Sequence, residues 1–270
     1  MMFETDSFDF PVARPIEEVY EYLIEPANYT EWAYTSDGRM QHVAEQDWAV
    51  ETSIGPRIIR FARRNAFGVL DHQVMRDRNS APHPVGMRVV PCGAGTQVIY
   101  TSFRPPSIDA LHWASTMEWV RSDLLALQSQ LETCGKLAPM PASSTVSLSI
   151  RRPVDEVYAF LFDPANLVHW VFGGDQGLRQ LSEREWAVET AVGPRVMRYS
   201  GRNEAGILDY WSTAEGSPPH LMPMRVFANG EGTELTQTFH QRPEHSIAQW
   251  QSTIEWCMAD LYALKSVLET

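Results

Sequence analysis

The sequence predicts an α+β protein of two tandem domains, each an antiparallel sheet wrapped around a long C-terminal helix, with two short helices. Three observations support this prediction. Residues 15–32 read PIEEVYEYLIEPANYTEW, and residues 153–170 read PVDEVYAFLFDPANLVHW, 138 positions later. Short alternating segments separated by tight-turn residues follow in each half, which is typical of antiparallel strands. A long run of apolar residues at helical spacing closes each half.

The repeat extends over almost the whole chain. WAVETSIGPRIIR at residues 48–60 matches WAVETAVGPRVMR at residues 186–198, and the offset of 138 falls to 137 toward the end of each half. Solenoid repeats have periods of about 20–50 residues, so this period indicates duplication of a whole domain. Residues 133–144 are rich in small residues and proline, which is typical of a linker. We therefore predict an N-terminal domain at 1–132, a linker at 133–144 and a C-terminal domain at 145–270.

Each half begins with the same succession of elements. In the first half, an alternating strand at Ser7–Val12 precedes Pro15, a residue accepted in the first turn of a helix. Two acidic residues then favour the helix N-terminus. Pro26 ends this helix, and a second short helix begins within PANYTEW. Strands with tight turns follow, the clearest at Gly55–Pro56 and at Cys92–Gly95.

A long helix is predicted to close each half, with one apolar face buried. Trp119 and Trp256 lie off this apolar stripe, and we predict that they pack between the domains, arranged as an intramolecular pseudo-twofold pair. The stripes comprise Ala110, Trp113, Met117, Val120, Leu124, Leu127 and Leu131, and Ile247, Trp250, Ile254, Cys257, Leu261, Leu264 and Leu268.

These features resemble a known family. A Pro-Val/Ile-acid-acid-Val-Tyr helix start, an Asp/Glu-Pro-Ala-Asn segment followed by Trp, antiparallel strands and a terminal helix resemble the START-like helix-grip superfamily (SRPBCC). This superfamily includes polyketide cyclase/dehydrase-like proteins and lipid- or ligand-transfer proteins. Two copies in one chain are also similar to the didomain aromatase/cyclases of aromatic polyketide pathways. The resemblance implies a deep, mostly apolar cavity between sheet and long helix. The strand sequences of those aromatase/cyclases do not occur in this chain, so no catalytic residue is carried over.

A hairpin turning at Gly55–Pro56 predicts which side chains face this cavity. With a two-residue loop, Val50 pairs with Phe61, and alternate side chains point to opposite faces of the sheet. One face is apolar, and we predict that it is directed inward. It carries Trp48, Val50 and Phe61, with Trp186, Val188 and Tyr199 in the second half.

The opposite face of this hairpin carries a pair of opposite charges, Glu51 and Arg60, repeated as Glu189 and Arg198. One interpretation is a charged cluster that orients a polar ligand group, with Asp71 on the next strand. The other is a solvent-exposed cross-strand ion pair that contributes about 0.2–1 kcal/mol. We favour the ion pair.

His72 is the candidate catalytic residue. An even loop after the hairpin pairs it with Phe61 and directs its ring into the cavity, where the second half has Tyr210. Histidine is suited to proton transfer near neutral pH, and burial would lower its pKa and keep it neutral. The alternative is a hydrogen-bonded core histidine, or an outward one if the loop is odd. Because only the first half offers such a base, we predict that any chemistry belongs to the N-terminal domain.

The other candidate site residues are assigned to ligand binding. Arg88 lies in a Met-Arg-Val strand shared by both halves; an inward side chain would hold a carboxylate or enolate, and an outward one would be solvated. His112 lies at the edge of the long-helix face, with Gln249 as its counterpart. Aromatic residues either pack the core or line a pocket for a flat hydrophobic ligand. The aromatic candidates are Trp48, Phe61, Trp113, Trp186, Tyr199, Tyr210 and Trp250.

Composition argues against several partners and cofactors. The net charge is −12 without a Lys/Arg cluster, so we expect neither nucleic acid nor an anionic membrane as partner. No apolar run approaches the roughly 18 residues of a membrane helix, and the start MMFETDSFDF has no signal-peptide pattern. Three cysteines without a CxxC pair favour the reducing cytoplasm. His240 and His245 lie five apart across a proline, and we find no cluster with metal-ligand spacing. We predict no cofactor.

Two functions compete, and both use the apolar cavity. The first is a small-molecule enzyme of polyketide cyclase/dehydratase type, which folds a hydrophobic, polyketide-like substrate and supplies one proton-transfer group. The second is a non-catalytic protein that binds or sequesters a hydrophobic metabolite. In a third possibility, one half has lost its pocket and serves only for packing. The sequence does not separate these functions.

Overall fold

The computed structural model describes residues 1–33, 39–133, 140–171, 177–190 and 193–270. The chain divides into two compact units. The N-terminal unit is Phe3–Ser143, and the C-terminal unit is Ser144–Thr270 together with Met1–Met2. Residues 134–139 of the predicted linker lie outside the described residues.

One antiparallel sheet of seven strands forms the N-terminal unit. The strands are β1 (Thr5–Val12), β2 (Gln41–Ala44), β3 (Asp47–Val50), β4 (Arg57–Phe61), β5 (His72–Met75), β6 (His83–Cys92) and β7 (Gly95–Phe103). They are hydrogen-bonded in the order β1-β7-β6-β5-β4-β3-β2. The chain therefore runs through the sheet as a meander from β2 to β7, and β1 closes the far edge beside β7.

Three helices pack against this sheet: α1 (Ile16–Leu23), α2 (Tyr29–Trp32) and α3 (Ala110–Glu132), with a 3-10 turn at Pro26–Asn28. The Asp109 carboxylate caps α3 by accepting hydrogen bonds from two backbone N–H groups of its first turn. The predicted apolar stripe faces the interior, since Trp113, Met117, Leu124 and Leu127 are its buried residues.

The C-terminal unit repeats these elements. Its strands are β8 (Ser143–Ile150), β9 (Arg179–Gln180), β10 (Glu185–Thr190), β11 (Gly193–Tyr199), β12 (Tyr210–Thr213), β13 (His220–Met222), β14 (Met224–Asn229) and β15 (Gly232–His240). Its helices are α4 (Val154–Phe162) and α5 (Ile247–Glu269), with a 3-10 helix at Pro164–His169. The predicted fold class, α+β with antiparallel strands and a long C-terminal helix in each half, is confirmed.

A proline divides the sheet of the C-terminal unit. Its strands form two groups, β13-β12-β11-β10-β9 and β14-β15-β8, because the counterpart of β6 is interrupted at Pro223, where the first half has Gly86. Proline has no N–H group and cannot donate to a strand ladder. The Pro223 carbonyl still accepts a hydrogen bond from the Thr238 N–H at 2.9 Å, so the two groups remain in contact.

The β3–β4 hairpin has a different register from the predicted one. Val50 pairs with Arg57, four residues from its predicted partner Phe61. The turn is therefore centred before Gly55–Pro56, where Thr52 Oγ1 donates to the Gly55 carbonyl at 2.6 Å and Gly55 has a φ of 96°. An even shift leaves each side chain on its predicted face.

The predicted pair of Arg60 with Glu51 is therefore wrong. Arg60 donates instead to the Asp47 carboxylate through Nε and Nη2, at 2.6 and 3.0 Å. These hydrogen bonds hold the pKa of Asp47 below its usual value. The second half shows the same shift. Arg198 pairs with Glu185, and not with Glu189 as predicted.

Candidate functional site

A small cavity lies inside the N-terminal unit. Its volume is about 10 Å³, which is room for about one water molecule, whereas small-molecule pockets usually measure about 300–1,000 Å³. This cavity is therefore far smaller than the deep cavity that the resemblance implies. The lining residues are Leu23, Tyr29, Trp32, Phe61, Leu70, His72 and Met87.

The ring of His72 faces this cavity. The β4–β5 register places His72 opposite Phe61, and the histidine is only 4% exposed. Its ring centroid lies 5.9 Å from that of Phe61, 6.1 Å from Tyr29 and 6.3 Å from Tyr100. Its Nδ1 lies 3.4 Å from the Leu70 carbonyl oxygen. Because a carbonyl only accepts hydrogen bonds, Nδ1 carries the hydrogen in this contact, and Nε2 of the neutral ring carries the lone pair.

Burial controls the protonation of the site. It lowers the pKa of His72 to about 4, because the apolar surroundings disfavour the imidazolium. Burial also raises the pKa of the Tyr29 and Tyr100 phenols, and the nearby Asp123 carboxylate on α3 raises it further. At neutral pH the site therefore contains a neutral imidazole beside two neutral hydroxyl groups.

Of the residues that line the cavity, sequence reasoning named only Phe61 and His72 as site residues. It missed the polar and aromatic groups Tyr29 and Trp32, and it also missed the nearby Tyr100 and Asp123. Tyr29 and Trp32 are three apart in α2, which brings them to the same side of the helix, and their rings are 5.0 Å apart. Trp32 is only 7% exposed. The helical spacing within PANYTEW was the available signal, and strand alternation around Tyr100 was another. Both aromatic side chains of α2 therefore line the small cavity beside His72.

Two of the N-terminal tryptophan candidates lie outside the cavity lining. Trp48 is partly buried and packs against the exposed His42, with ring centroids 5.0 Å apart. Trp113 is 7% exposed and donates its Nε1–H to the Asp6 carboxylate. Trp113 therefore joins the long helix to β1.

Arg88 and His112 also lie away from the cavity. Met87 lines the cavity, so the neighbouring Arg88 points to the opposite face of the sheet. Arg88 is buried there and its Nε donates to the Phe67 carbonyl at 3.1 Å, so it is neither inward nor solvated. The His112 side chain is 79% exposed and its Nδ1 lies 2.7 Å from an Asp109 carboxylate oxygen. Neither placement supports a direct role in ligand binding.

The interior of the C-terminal unit contains phenols. Tyr199 pairs with Tyr210, their ring centroids are 5.7 Å apart, and burial raises the pKa of both. Gln237 Nε2 donates to the Tyr210 hydroxyl at 3.2 Å. Trp186 pairs with Met197 on the same hairpin. Tyr210 thus stands where the first half has a histidine, and it does not titrate near neutral pH.

Several wider observations bear on function. Trp119 and Trp256 are 56% and 63% exposed, so neither indole is buried within its own unit. Within the described residues, no group of three or more His, Cys, Asp or Glu could hold a metal ion. Among the helices that the structure describes, none is long and apolar enough to span a membrane.

Comparison with known proteins gives structural matches only. No family profile and no curated protein sequence matches the chain. The di-domain ARO/CYC BexL from the BE-7585A biosynthetic pathway is 17% identical, covering 99% of this chain and 99% of that one, with a TM-score of 0.42. The di-domain ARO/CYC StfQ from the steffimycin biosynthetic pathway is 12% identical, covering 98% of each chain, with a TM-score of 0.38.

A START superfamily protein from Mycobacterium smegmatis is 14% identical, covering 48% of this chain and 97% of that one, with a TM-score of 0.41. The solved structures similar to this chain therefore include two-domain and START-type proteins, the kinds that its sequence resembles. At these identities and TM-scores the likeness carries no argument about a reaction or a substrate.

Proposed function

We propose that this chain is a small-molecule enzyme of polyketide cyclase/dehydratase type, with a hydrophobic, polyketide-like substrate bound in the N-terminal unit. One observation carries the proposal: the buried neutral imidazole of His72, whose Nε2 lone pair stands among apolar and aromatic side chains. Such a group is suited to taking a proton from an acidic carbon and returning it to an oxygen.

The proposed chemistry is a ring closure followed by loss of water. His72 Nε2 removes a proton from a methylene group between two carbonyls, and the resulting enolate carbon attacks a third carbonyl carbon. The new alkoxide takes the proton back from the imidazolium. Removal of a second carbon-bound proton and departure of the hydroxyl group as water complete the reaction. In this proposal Tyr29 and Tyr100, whose rings lie 6.1 and 6.3 Å from that of His72, donate hydrogen bonds to substrate oxygens.

The pKa of His72 constrains this chemistry. A base whose pKa is about 4 is weak at neutral pH, because proton transfer is most effective when the pKa lies near the working pH. An enolate that forms beside the ring would stabilise the imidazolium and raise this pKa. The proposal therefore requires the substrate to change the electrostatic environment of the site as it reacts.

Ligand entry requires a rearrangement. A cavity of about 10 Å³ does not hold a polyketide-like substrate, so in this proposal Tyr29 and Trp32 move before one binds. Both belong to α2, which is four residues long. A helix of one turn has little intrinsic stability, so packing of its two aromatic side chains decides whether the cavity is open.

The alternative function is non-catalytic binding or sequestration of a hydrophobic metabolite. The low pKa of His72 favours this alternative, since a neutral, weakly basic ring is also compatible with an inert lining. The partner in both cases is a hydrophobic small molecule. The proposal includes no nucleic-acid or membrane partner. The expected location of the protein remains the cytoplasm.

The two functions are distinguished by incubating the protein with a linear poly-β-ketone thioester and following aromatic ring formation by ultraviolet absorbance and mass spectrometry. We expect His72→Phe to lose turnover while retaining binding, and Tyr210→Phe, the matched change in the C-terminal unit, to retain both. Binding by the wild-type protein without conversion above the spontaneous rate would favour sequestration.

We also propose that the two domains form an intramolecular pseudo-twofold pair. The domain-length repeat supports it, because similar subunits usually associate isologously. The exposed Trp119 and Trp256 are no part of this proposal. The test places spin labels at equivalent positions of the two halves and measures the distances between them. In a twofold pair, the distance from one position in the first half to a second position in the other half equals the distance measured with the two positions exchanged between the halves.

A further inference from the structure

One hydrogen bond joins the short helix beside the cavity to the helix that precedes it. Tyr22, in the last turn of α1, donates its hydroxyl hydrogen to the Glu31 carboxylate of α2 at 2.8 Å. We call this hydrogen bond the latch. We propose that Tyr22 and Glu31 are positioning residues, which hold α2 against the His72 cavity, and that the latch opens to admit the ligand. This inference rests on the proposed function, in which a hydrophobic small molecule binds beside His72.

The latch acts on the helix that carries two side chains of the cavity lining. Tyr29 and Trp32 line the cavity together with His72, and Glu31 lies between them in α2. The helix is one turn of four residues, so these three α2 side chains move together. A contact that holds Glu31 in place therefore also holds Tyr29 and Trp32 beside the histidine.

Few other polar contacts fix the position of α2. Among the described residues, Glu31 is the only α2 side chain with a hydrogen-bond partner, and that partner is Tyr22. The backbone adds one helical hydrogen bond at the C-terminal end, from the Ala33 N–H group to the Tyr29 carbonyl at 3.0 Å. A single turn has little intrinsic stability. Aromatic packing and the latch therefore determine together where α2 lies.

A second hydrogen bond marks the point about which α2 can turn. Asn28 Nδ2, immediately before α2, donates to the Tyr22 carbonyl at 2.9 Å. This contact is partly buried, whereas the latch is exposed to solvent. Water competes for the partners of an exposed hydrogen bond, so its net contribution is small. The latch therefore breaks more easily than the Asn28 contact, which remains as a hinge.

The two halves agree at the hinge and differ at the latch. In the second half Asn166 Nδ2 donates to the Phe160 carbonyl at 2.8 Å, the equivalent of the hinge contact. Phe160 and His169 replace the two latch residues, and their ring centroids are 6.5 Å apart. Because phenylalanine has no hydroxyl group, no latch forms there. The fold is therefore compatible with the hinge alone, and the latch is a feature of the unit that contains His72.

The test measures the opening of α2 by amide hydrogen exchange, followed by NMR on the full ¹⁵N-labelled chain. The Ala33 amide is the reporter, because its hydrogen bond closes the single turn of α2. Tyr22→Phe removes the latch and introduces the residue found in the second half. We expect exchange at Ala33 to become about two- to tenfold faster, the range for loss of one hydrogen bond.

A control variant removes one hydrogen bond elsewhere in the same unit. Ser7 Oγ lies 2.9 Å from Thr101 Oγ1, between β1 and β7. Ser7→Ala breaks this contact without touching α2. Exchange at Ala33 by local opening of α2 should therefore keep its wild-type rate in Ser7→Ala.

Two variants of Glu31 make the result specific to the latch. Glu31→Ala should accelerate exchange at Ala33 as much as Tyr22→Phe does. The double variant should exchange no faster than either single variant, because both changes remove the same contact. Glu31→Gln retains a carbonyl oxygen that can accept from Tyr22, so its rate should lie closer to that of the wild type than to that of Glu31→Ala.

A second measurement links the latch to ligand entry. Nile red, an uncharged apolar dye, is mixed with each protein, and its association is followed by stopped-flow fluorescence. When opening precedes binding, the apparent association rate follows the population of the open state. We therefore expect it to rise in Tyr22→Phe and Glu31→Ala by the same factor as the exchange rate, and to stay unchanged in Ser7→Ala.

The inference and the proposed function fail in different ways. Equal exchange at Ala33 in the wild-type protein and Tyr22→Phe, additive effects of the Tyr22 and Glu31 changes, or dye association that does not follow exchange would overturn the latch. Absence of turnover by the wild-type protein, together with faster exchange and dye entry in the latch variants, would refute the enzyme and leave the latch in place.

Discussion

Replacing His72 by phenylalanine should remove a specific loss of stability at acid pH. The folded protein lowers the pKa of His72 from 6.5 to about 4, so between these pH values the unfolded chain binds a proton that the folded chain does not. Stability therefore falls as the pH drops from about 6.5 to about 4. At about 1.36 kcal/mol per pH unit, the loss from this one side chain is about 3 kcal/mol. His72→Phe cannot bind the proton and escapes this loss.

The assay is urea unfolding of the wild-type and variant proteins at pH 7.5 and at pH 4. The other histidines with lowered pKa values, His83, His220 and His240, are present in both proteins, so the difference between the proteins is assigned to His72. We expect the wild-type protein to lose about 3 kcal/mol more than the variant over this interval. His112→Gln, which introduces the residue found at the equivalent position of the second half, is the control. Its exposed ion pair contributes about 0–1 kcal/mol, so its pH dependence should stay within about 1 kcal/mol of the wild type.

Two results would refute this reasoning. One is an equal pH dependence of stability in the wild-type protein and His72→Phe. The other is an NMR titration of the His72 ring with its midpoint near 6.5, the ordinary value for histidine. Either would mean that water reaches the ring and that the cavity is not a closed, apolar site.

Two further predictions concern the packing of each unit. Trp32→Ala should lower the unfolding free energy by about 3–5 kcal/mol and open the cavity, and binding of a fluorescent apolar dye should increase relative to the wild type; a stable variant that binds no more dye would contradict the role assigned to α2. Gly206→Ala should destabilise the C-terminal unit several-fold more than Gly216→Ala in thermal unfolding. Both glycines have a positive φ, 71° and 73°, but only at Gly206 would the new Cβ lie 1.9 Å from a backbone oxygen, that of Val226. Equal effects would mean that strain from positive φ alone, about 1–2 kcal/mol, accounts for both changes.

The sequence by itself determined the tandem organisation and the order of elements. The repeat, the prolines at the starts of the first helices and the apolar stripe of α3 are local or periodic signals, and they depend on backbone geometry alone. The sequence predicted an inward His72 only if the loop after the hairpin is even, because strand residues alternate between faces. The β4–β5 register, which pairs His72 with Phe61, supplied that parity. The four-residue error in the β3–β4 register did not change any face, since an even shift preserves the face of every side chain.

Only the tertiary structure decided where the hairpin turns, what lines the cavity and where Arg88 and His112 lie. Gly55 has positive φ in a turn that the Thr52 Oγ1 hydrogen bond closes. The Gly55–Pro56 pair was therefore a misleading marker of the centre of the turn. Tyr29 and Trp32 line the small cavity beside His72, because packing at interior density leaves few voids, and no periodicity reveals which side chains meet there. The Phe67 carbonyl that accepts a hydrogen bond from Arg88 lies 21 residues away in sequence, so the burial of Arg88 depends on a contact that only the folded chain brings together.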